Sequence, residues 1–178
     1  MKLFIGINLP TLTQNDIRAQ IHPLIEEYPS FDWVSETNYH ITIQFLGETK
    51  KIKEISLRLQ DLLYDQPSFY LYSKALDLFI RHNITVYLNF QRQKILEQIH
   101  KIIRNDFAAD HLNSQFIPHL TLAKSKIPSK QQYFVLKKKL SKTIIDTEFK
   151  VDKIVIFQSL VKDKHLLYNK IKTIPLIK

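Results

Sequence analysis

Hydrophobic positions along this chain switch repeatedly between a period of two and a period near 3.6, and each switch predicts an element. Residues 2–9 alternate as a strand that Pro10 closes. A helix follows with Ile17, Ile21, Leu24 and Ile25 as its buried stripe, and Thr13 or Asn15 as its cap. Pro23 lies inside that stripe and is expected to kink or shorten the helix, because it lacks an N–H and its ring crowds the preceding turn. A short extended piece over 31–34 and a polar turn over 35–38 lead to a strand over 39–46. That strand stops at Gly47, where a positive φ carries no side-chain penalty. Ile52, Ile55, Leu59, Leu62 and Leu63 form a second helical stripe. Residues 68–80 and 84–90 read as a strand pair joined by Arg81, His82 and Asn83. A third helix carries Ile95, Leu96, Ile99, Ile102, Ile103 and Phe107, and a polar loop over 109–115 leads to a strand over 116–123. Tyr133, Phe134, Leu136 and Leu140 mark a fourth, basic helix, and strands over 149–158 and 165–174 end the pattern.

Helices interspersed with adjacent strand pairs predict an α+β fold, with antiparallel sheets covered by helices. The 178 residues suit a single domain or two closely packed lobes, taken here as one unit over 1–178. Hydrophobic content of 44% with 24% charged residues is ordinary for a soluble globular protein. No apolar run reaches the roughly 18–20 residues of a membrane span, and the apolar start is too short for a signal peptide. The absence of cysteine excludes disulfides, thiolate metal sites and a thiol nucleophile. A cytoplasmic monomer that does not engage membranes is the resulting expectation.

Charge refines this picture. Residues 1–123 hold 12 Lys/Arg against 13 Asp/Glu, whereas residues 124–178 hold 14 lysines against 4 acids. A basic surface attracts polyanions, so the chain's partners are expected to be anionic. The reaction itself is not named by charge.

Two short stretches carry the chemistry. Tyr39-His40-Ile41-Thr42-Ile43 and Pro118-His119-Leu120-Thr121-Leu122 share the order His, apolar, Thr, apolar, and both fall in predicted strands. Period-two alternation points His40 with Thr42, and His119 with Thr121, to one face, while the aliphatics point to the other. Of seven histidines only these two have the pattern; positions 22, 82, 100, 111 and 165 read as structural or surface residues. Zinc needs three or four protein ligands, and no His, Asp or Glu stands at ligand spacing beside either motif. Two glycines in the whole chain exclude the glycine-rich nucleotide loops, and the serine-hydrolase turn is missing as well. Two imidazoles without a metal suit phosphoryl transfer, one ring acting as general base and the other as general acid. The Thr42 and Thr121 hydroxyls are placed to donate to non-bridging oxygens, and Lys124, three residues past Thr121, is a candidate positive charge. The spacing of the two motifs also suggests an internal duplication into two lobes.

On these residues the chain resembles the RNA 2′,3′-cyclic phosphodiesterases, or 2′-5′ RNA ligases, of the two-histidine phosphoesterase superfamily. The likeness runs through Lys2 to Pro10, Trp33 to Glu48, Phe116 to Lys124 and Ile154 to Ser159, in that order. It implies a bilobed fold of two antiparallel sheets flanked by helices, with pseudo-two-fold symmetry and a central cleft. It further implies metal-independent, cofactor-free hydrolysis of RNA 2′,3′-cyclic phosphate ends, or of related small cyclic-phosphate nucleotides, to 2′-phosphates. His40 and His119 would be the acid/base pair, with Thr42, Thr121 and Lys124 holding the phosphate. The chain departs from the family at Lys124, where arginine is frequent, at Gln44, where a basic residue is favoured, and over 75–78, where glycines are usual. Reversible 2′-5′ ligation is the alternative within the family, and a non-catalytic RNA-end-binding module is the alternative outside it.

Overall fold

The computed structural model describes residues 1–108, 116–162 and 165–177; the predicted polar loop over 109–115 lies outside the described residues. Among the described residues nine strands, β1 Lys2–Asn8, β2 Asp32–Trp33, β3 His40–Glu48, β4 Phe69–Ile80, β5 Ile84–Phe90, β6 His119–Ser125, β7 Glu148–Val151, β8 Lys153–Lys162 and β9 His165–Pro175, are interspersed with five helices. The helices are α1 Thr11–Gln20, α2 His22–Glu27, α3 Ile52–Leu63, α4 Lys94–Phe107 and α5 Lys130–Lys142. Among the described residues no helix is long and apolar enough to cross a membrane.

The fold is α+β, with strand order β7-β4-β5-β6-β3-β1-β8-β9 and β2 added beside β6. Every pairing between these strands is antiparallel. The two expected sheets are two arms of this path, β9-β8-β1-β3 and β6-β5-β4-β7. They join through one residue pair, Ile41 with Leu120. Each motif strand therefore forms the inner edge of its own arm.

One large core carries the structure. Ile5, Ile7, Ile41, Leu88, Leu120 and Leu122 are fully or almost fully buried in it. α4 meets it with Leu96, Ile99 and Ile103, spaced for one helical face. α5 meets it with Leu136 and Leu140, and its start is fixed by a reciprocal capping box between Ser129 and Gln132.

Four local expectations change. The first predicted helix is two helices: α1 ends at Gln20, and Pro23 sits in the first turn of α2, where its missing N–H costs nothing. Pro10, not Thr13 or Asn15, precedes α1, and Thr13 is buried within it. The single strand expected over 149–158 is β7 and β8, broken at Asp152. β7 pairs with β4 at the outer edge of one arm, and β8 pairs with β1 inside the other. Alternation marks extended chain but does not say which partner it joins. The second motif strand begins at His119 rather than Phe116, since Pro118 brings no ladder donor.

Candidate active site

Burial follows the predicted alternation along both motif strands. Ile41, Ile43, Leu120 and Leu122 are buried, while His40, Thr42, His119 and Thr121 are half-buried on the opposite face. The Ile41–Leu120 pair fixes the relative register of the strands. In an antiparallel register that pair directs Thr42 toward His119 and Thr121 toward His40. Thr42, His119 and Thr121 line one cleft, and His40 lies close enough to His119 for the charge of one ring to act on the other.

Both imidazoles are oriented in the same way. His40 Nδ1 lies 2.7 Å from the Asn38 carbonyl oxygen, and His119 Nδ1 lies 2.8 Å from that of Ile117. A carbonyl only accepts, so in each ring Nδ1 carries the hydrogen and donates it. Nε2 is left to exchange protons. Asn38 is itself tied down, its side-chain amide donating to the Leu166 carbonyl at 2.8 Å.

The bases of the two half-sites also correspond. Phe4 and Phe157 stack at 4.9 Å beside His40, and Phe79 and Tyr87 stack at 4.1 Å beside His119. Tyr168 closes on His40 edge-on, with ring centroids 4.5 Å apart. Cross-strand neighbours repeat as well: Asn8 opposes His40 and Asn89 opposes His119. These packed rings remove water from the imidazoles.

Burial is accordingly the main influence on their protonation. It holds His40 below the ordinary imidazole range, the hydrogen bond to Asn38 partly opposes this, and the neighbouring His119 lowers it further. His119 is also lowered, first by burial and then by the Arg81 charge, against the bond to Ile117. A proton on one ring disfavours a proton on the other, which suits a pair working with one ring charged and one neutral.

A cleft of about 790 Å³ opens over Thr42, His119 and Thr121. Arg81, Arg104 and Lys124 line it, and none of its described lining residues is acidic. Lys124 reaches it through a bulge. Val86 pairs with Ala123, whereas Tyr87 pairs with Thr121, so Leu122 is an extra residue. Leu122 and Ala123 are both buried, and Lys124 returns to the face of Thr121. Unbroken alternation would have turned it into the core. Gln44 lines the cleft too. Among the described residues, no group of three or more His, Cys, Asp or Glu is arranged to hold a metal ion.

Of the described lining residues only Lys124 comes from the lysine-rich final third. The α5 lysines are exposed around a helix that packs on β4, and Lys139 pairs with Glu27 of α2 at 2.6 Å. Arg81, His82 and His100, by contrast, line the cleft although the sequence presents them as a turn and a helix surface. Period two along β4 groups Arg81 with Phe79, but only the β4–β5–β6 pairing shows that this face looks onto His119.

Residues 13–163 match the sequence profile of the 2′-5′ RNA ligase superfamily. A Thermotoga maritima RNA 2′,3′-cyclic phosphodiesterase is 28% identical over 132 residues, covering 71% of each chain. The structure superposes on Escherichia coli LigT in apo form with a TM-score of 0.75 and 25% identity, covering 99% of this chain and 98% of that one. The same E. coli protein complexed with ATP gives 0.73 at 25% identity, with the same coverage. TT0787 of Thermus thermophilus shares the fold at 18% identity, with a TM-score of 0.75 over 99% of this chain and 98% of that one.

Proposed function

Because this chain belongs to the 2′-5′ RNA ligase superfamily, we propose that it hydrolyses RNA 2′,3′-cyclic phosphate ends to 2′-phosphates without a metal. The observation that carries this reading is the matched pair of histidines. Each donates Nδ1–H to a backbone carbonyl two residues earlier, each turns Nε2 outward, and each is set beside a threonine on one face of the joined arms.

One imidazole, neutral at Nε2, takes a proton from water as the water oxygen bonds to phosphorus. The P–O3′ bond breaks, and the other imidazolium gives its Nε2 proton to the leaving O3′. The product carries a 3′-hydroxyl and a 2′-phosphate, and the proton count of the pair is unchanged. Proton transfers of this kind typically contribute about 10²–10⁴-fold. Thr42 and Thr121 donate to the non-bridging oxygens, where charge accumulates. Lys124 and Arg81 supply positive charge from the cleft wall. The relatives support such a ligand class: one is a phosphodiesterase of RNA 2′,3′-cyclic ends by name, and another binds ATP. A cytoplasmic monomer is the setting this reading assumes.

The test is turnover of a short RNA ending in a 2′,3′-cyclic phosphate, with EDTA present. Wild type is expected to yield a 2′-phosphate, and His40→Ala and His119→Ala are each expected to lose orders of magnitude. Retained turnover in either variant overturns the acid/base assignment. Adding an RNA with a 5′-hydroxyl shows whether the reverse, ligating reaction competes with water. Salt-sensitive binding without turnover would leave an RNA-end-binding module instead.

A further inference from the structure

The cleft extends past the histidine–threonine centre to a pair of rings that the reaction above does not use. His100 of α4 and Phe116 lie with ring centroids 4.0 Å apart and planes within 7°, both half-buried and both lining the cleft. Phe116 stands three residues before His119, so no more than about 10–11 Å of extended chain separates them. The intervening Ile117 supplies the carbonyl that orients His119. The ring pair is therefore tied by backbone to the reactive centre. Phe45 of β3 lines the same cleft and is 70% exposed, its ring in tilted contact with Phe4 at 6.0 Å.

We propose that the His100–Phe116 pair is the seat for the nucleobase of the terminal nucleotide, with Phe45 closing on the cleft from β3. This rests on the cyclic-phosphate reading of the centre. In such an end both O2′ and O3′ are bonded to phosphorus, so the groups left to recognise are the base and whatever follows O5′. The base is a flat π surface one ribose away from the phosphate, and a preformed stack of two rings offers it a matching face. Burial and the adjacent Arg104 charge keep His100 below the ordinary imidazole range, so it presents a neutral ring rather than a hydrated cation. The platform selects nucleoside cyclic phosphates over the same five-membered cyclic phosphodiester without a base.

The test compares kcat/KM for adenosine 2′,3′-cyclic phosphate and for 1,4-anhydroribitol 2,3-cyclic phosphate, which lacks only the base. Stacking of the strength found in single-strand binding proteins predicts a preference of about tenfold or more for the nucleoside. His100→Ala and Phe116→Leu, the second keeping an apolar contact with the core, are expected to bring the ratio within about threefold of unity. Each variant's ratio is internal to one preparation, so partial loss of folded protein does not change it. Equal kcat/KM for the two substrates in wild type, or an undiminished ratio in both variants, overturns the platform while leaving the hydrolase intact. Turnover of the short RNA but of neither small substrate overturns the platform alone, and turnover of none of the three sinks the hydrolase reading as well.

Discussion

Gly6 is where the fold and the chemistry press on each other most closely. It lies on β1 opposite Thr42, and a Cβ built there would sit 2.6 Å from the Ile41 carbonyl oxygen. Ordinary contact begins at 3.4 Å, so Gly6→Ala creates a conflict of about 0.8 Å with a backbone atom that no rotamer change relieves. The Phe157 ring, 3.5 Å away on another side, limits escape in that direction. Overpacking of this kind costs about 1–3 kcal/mol, and each kcal/mol lowers Tm by about 2–4 °C in a chain of this size. Relief of the clash must displace Ile41, the residue between His40 and Thr42. A misplacement near 1 Å in a catalytic constellation can cost about 10²-fold. We therefore expect Gly6→Ala to lower Tm by several degrees and kcat/KM on a cyclic-phosphate RNA by roughly one to two orders of magnitude.

Gly47→Ala is the matched control. Gly47 has φ +70° and nothing within 4 Å of a built Cβ, so alanine there brings backbone strain of about 1–2 kcal/mol without a clash. It should lower Tm and leave kcat/KM within about threefold of wild type, because the strain stays local to the end of β3. Thermal denaturation and steady-state kinetics on the two variants decide the matter. If Gly6→Ala keeps wild-type kcat/KM while losing stability, the coupling between this contact and the histidine strand is refuted. If it loses neither, the contact itself is refuted.

Burial lowers both histidines, so the bell-shaped pH dependence of kcat/KM should centre below the ordinary imidazole value of about 6.5. Activity then falls as pH rises because the acid loses its proton, and Arg81→Gln should move the bell upward by removing a charge that repels protonated His119; an optimum above pH ~7.5 in wild type contradicts this. The same shifts make the unfolded chain bind more protons than the folded one as pH drops through ~6.5, so urea denaturation should show stability falling over that window. Thr42→Val and Thr121→Val keep shape and remove one donor each, with an expected loss of about 10²–10³-fold in kcat, and a loss in KM alone would argue for ground-state binding only. Ser129→Ala removes the α5 capping bond and should cost about 1 kcal/mol in denaturant titration with no change in kcat/KM.

What the sequence made legible and what it concealed follow one physical line. The His–Thr strands could be read because alternation along a strand is a local property, and His40 and Thr42 declare their shared face without reference to a partner. Arg81, His100 and Phe116 could not be placed, because their position over the centre depends on pairing between segments far apart in the chain. Lys124 was found for an incomplete reason. Three residues past Thr121 is the wrong parity, and only the bulge at Leu122 and Ala123 turns it to the cleft. The orienting groups are the deepest case. His40 and His119 are each held by the carbonyl of the residue two positions earlier, a group that every residue possesses. No side chain at 38 or 117 is needed to provide it, so no sequence signal marks it and no side-chain substitution there deletes it. A motif of four residues can define half of this site because its orienting acceptor is already in the backbone that leads into the strand.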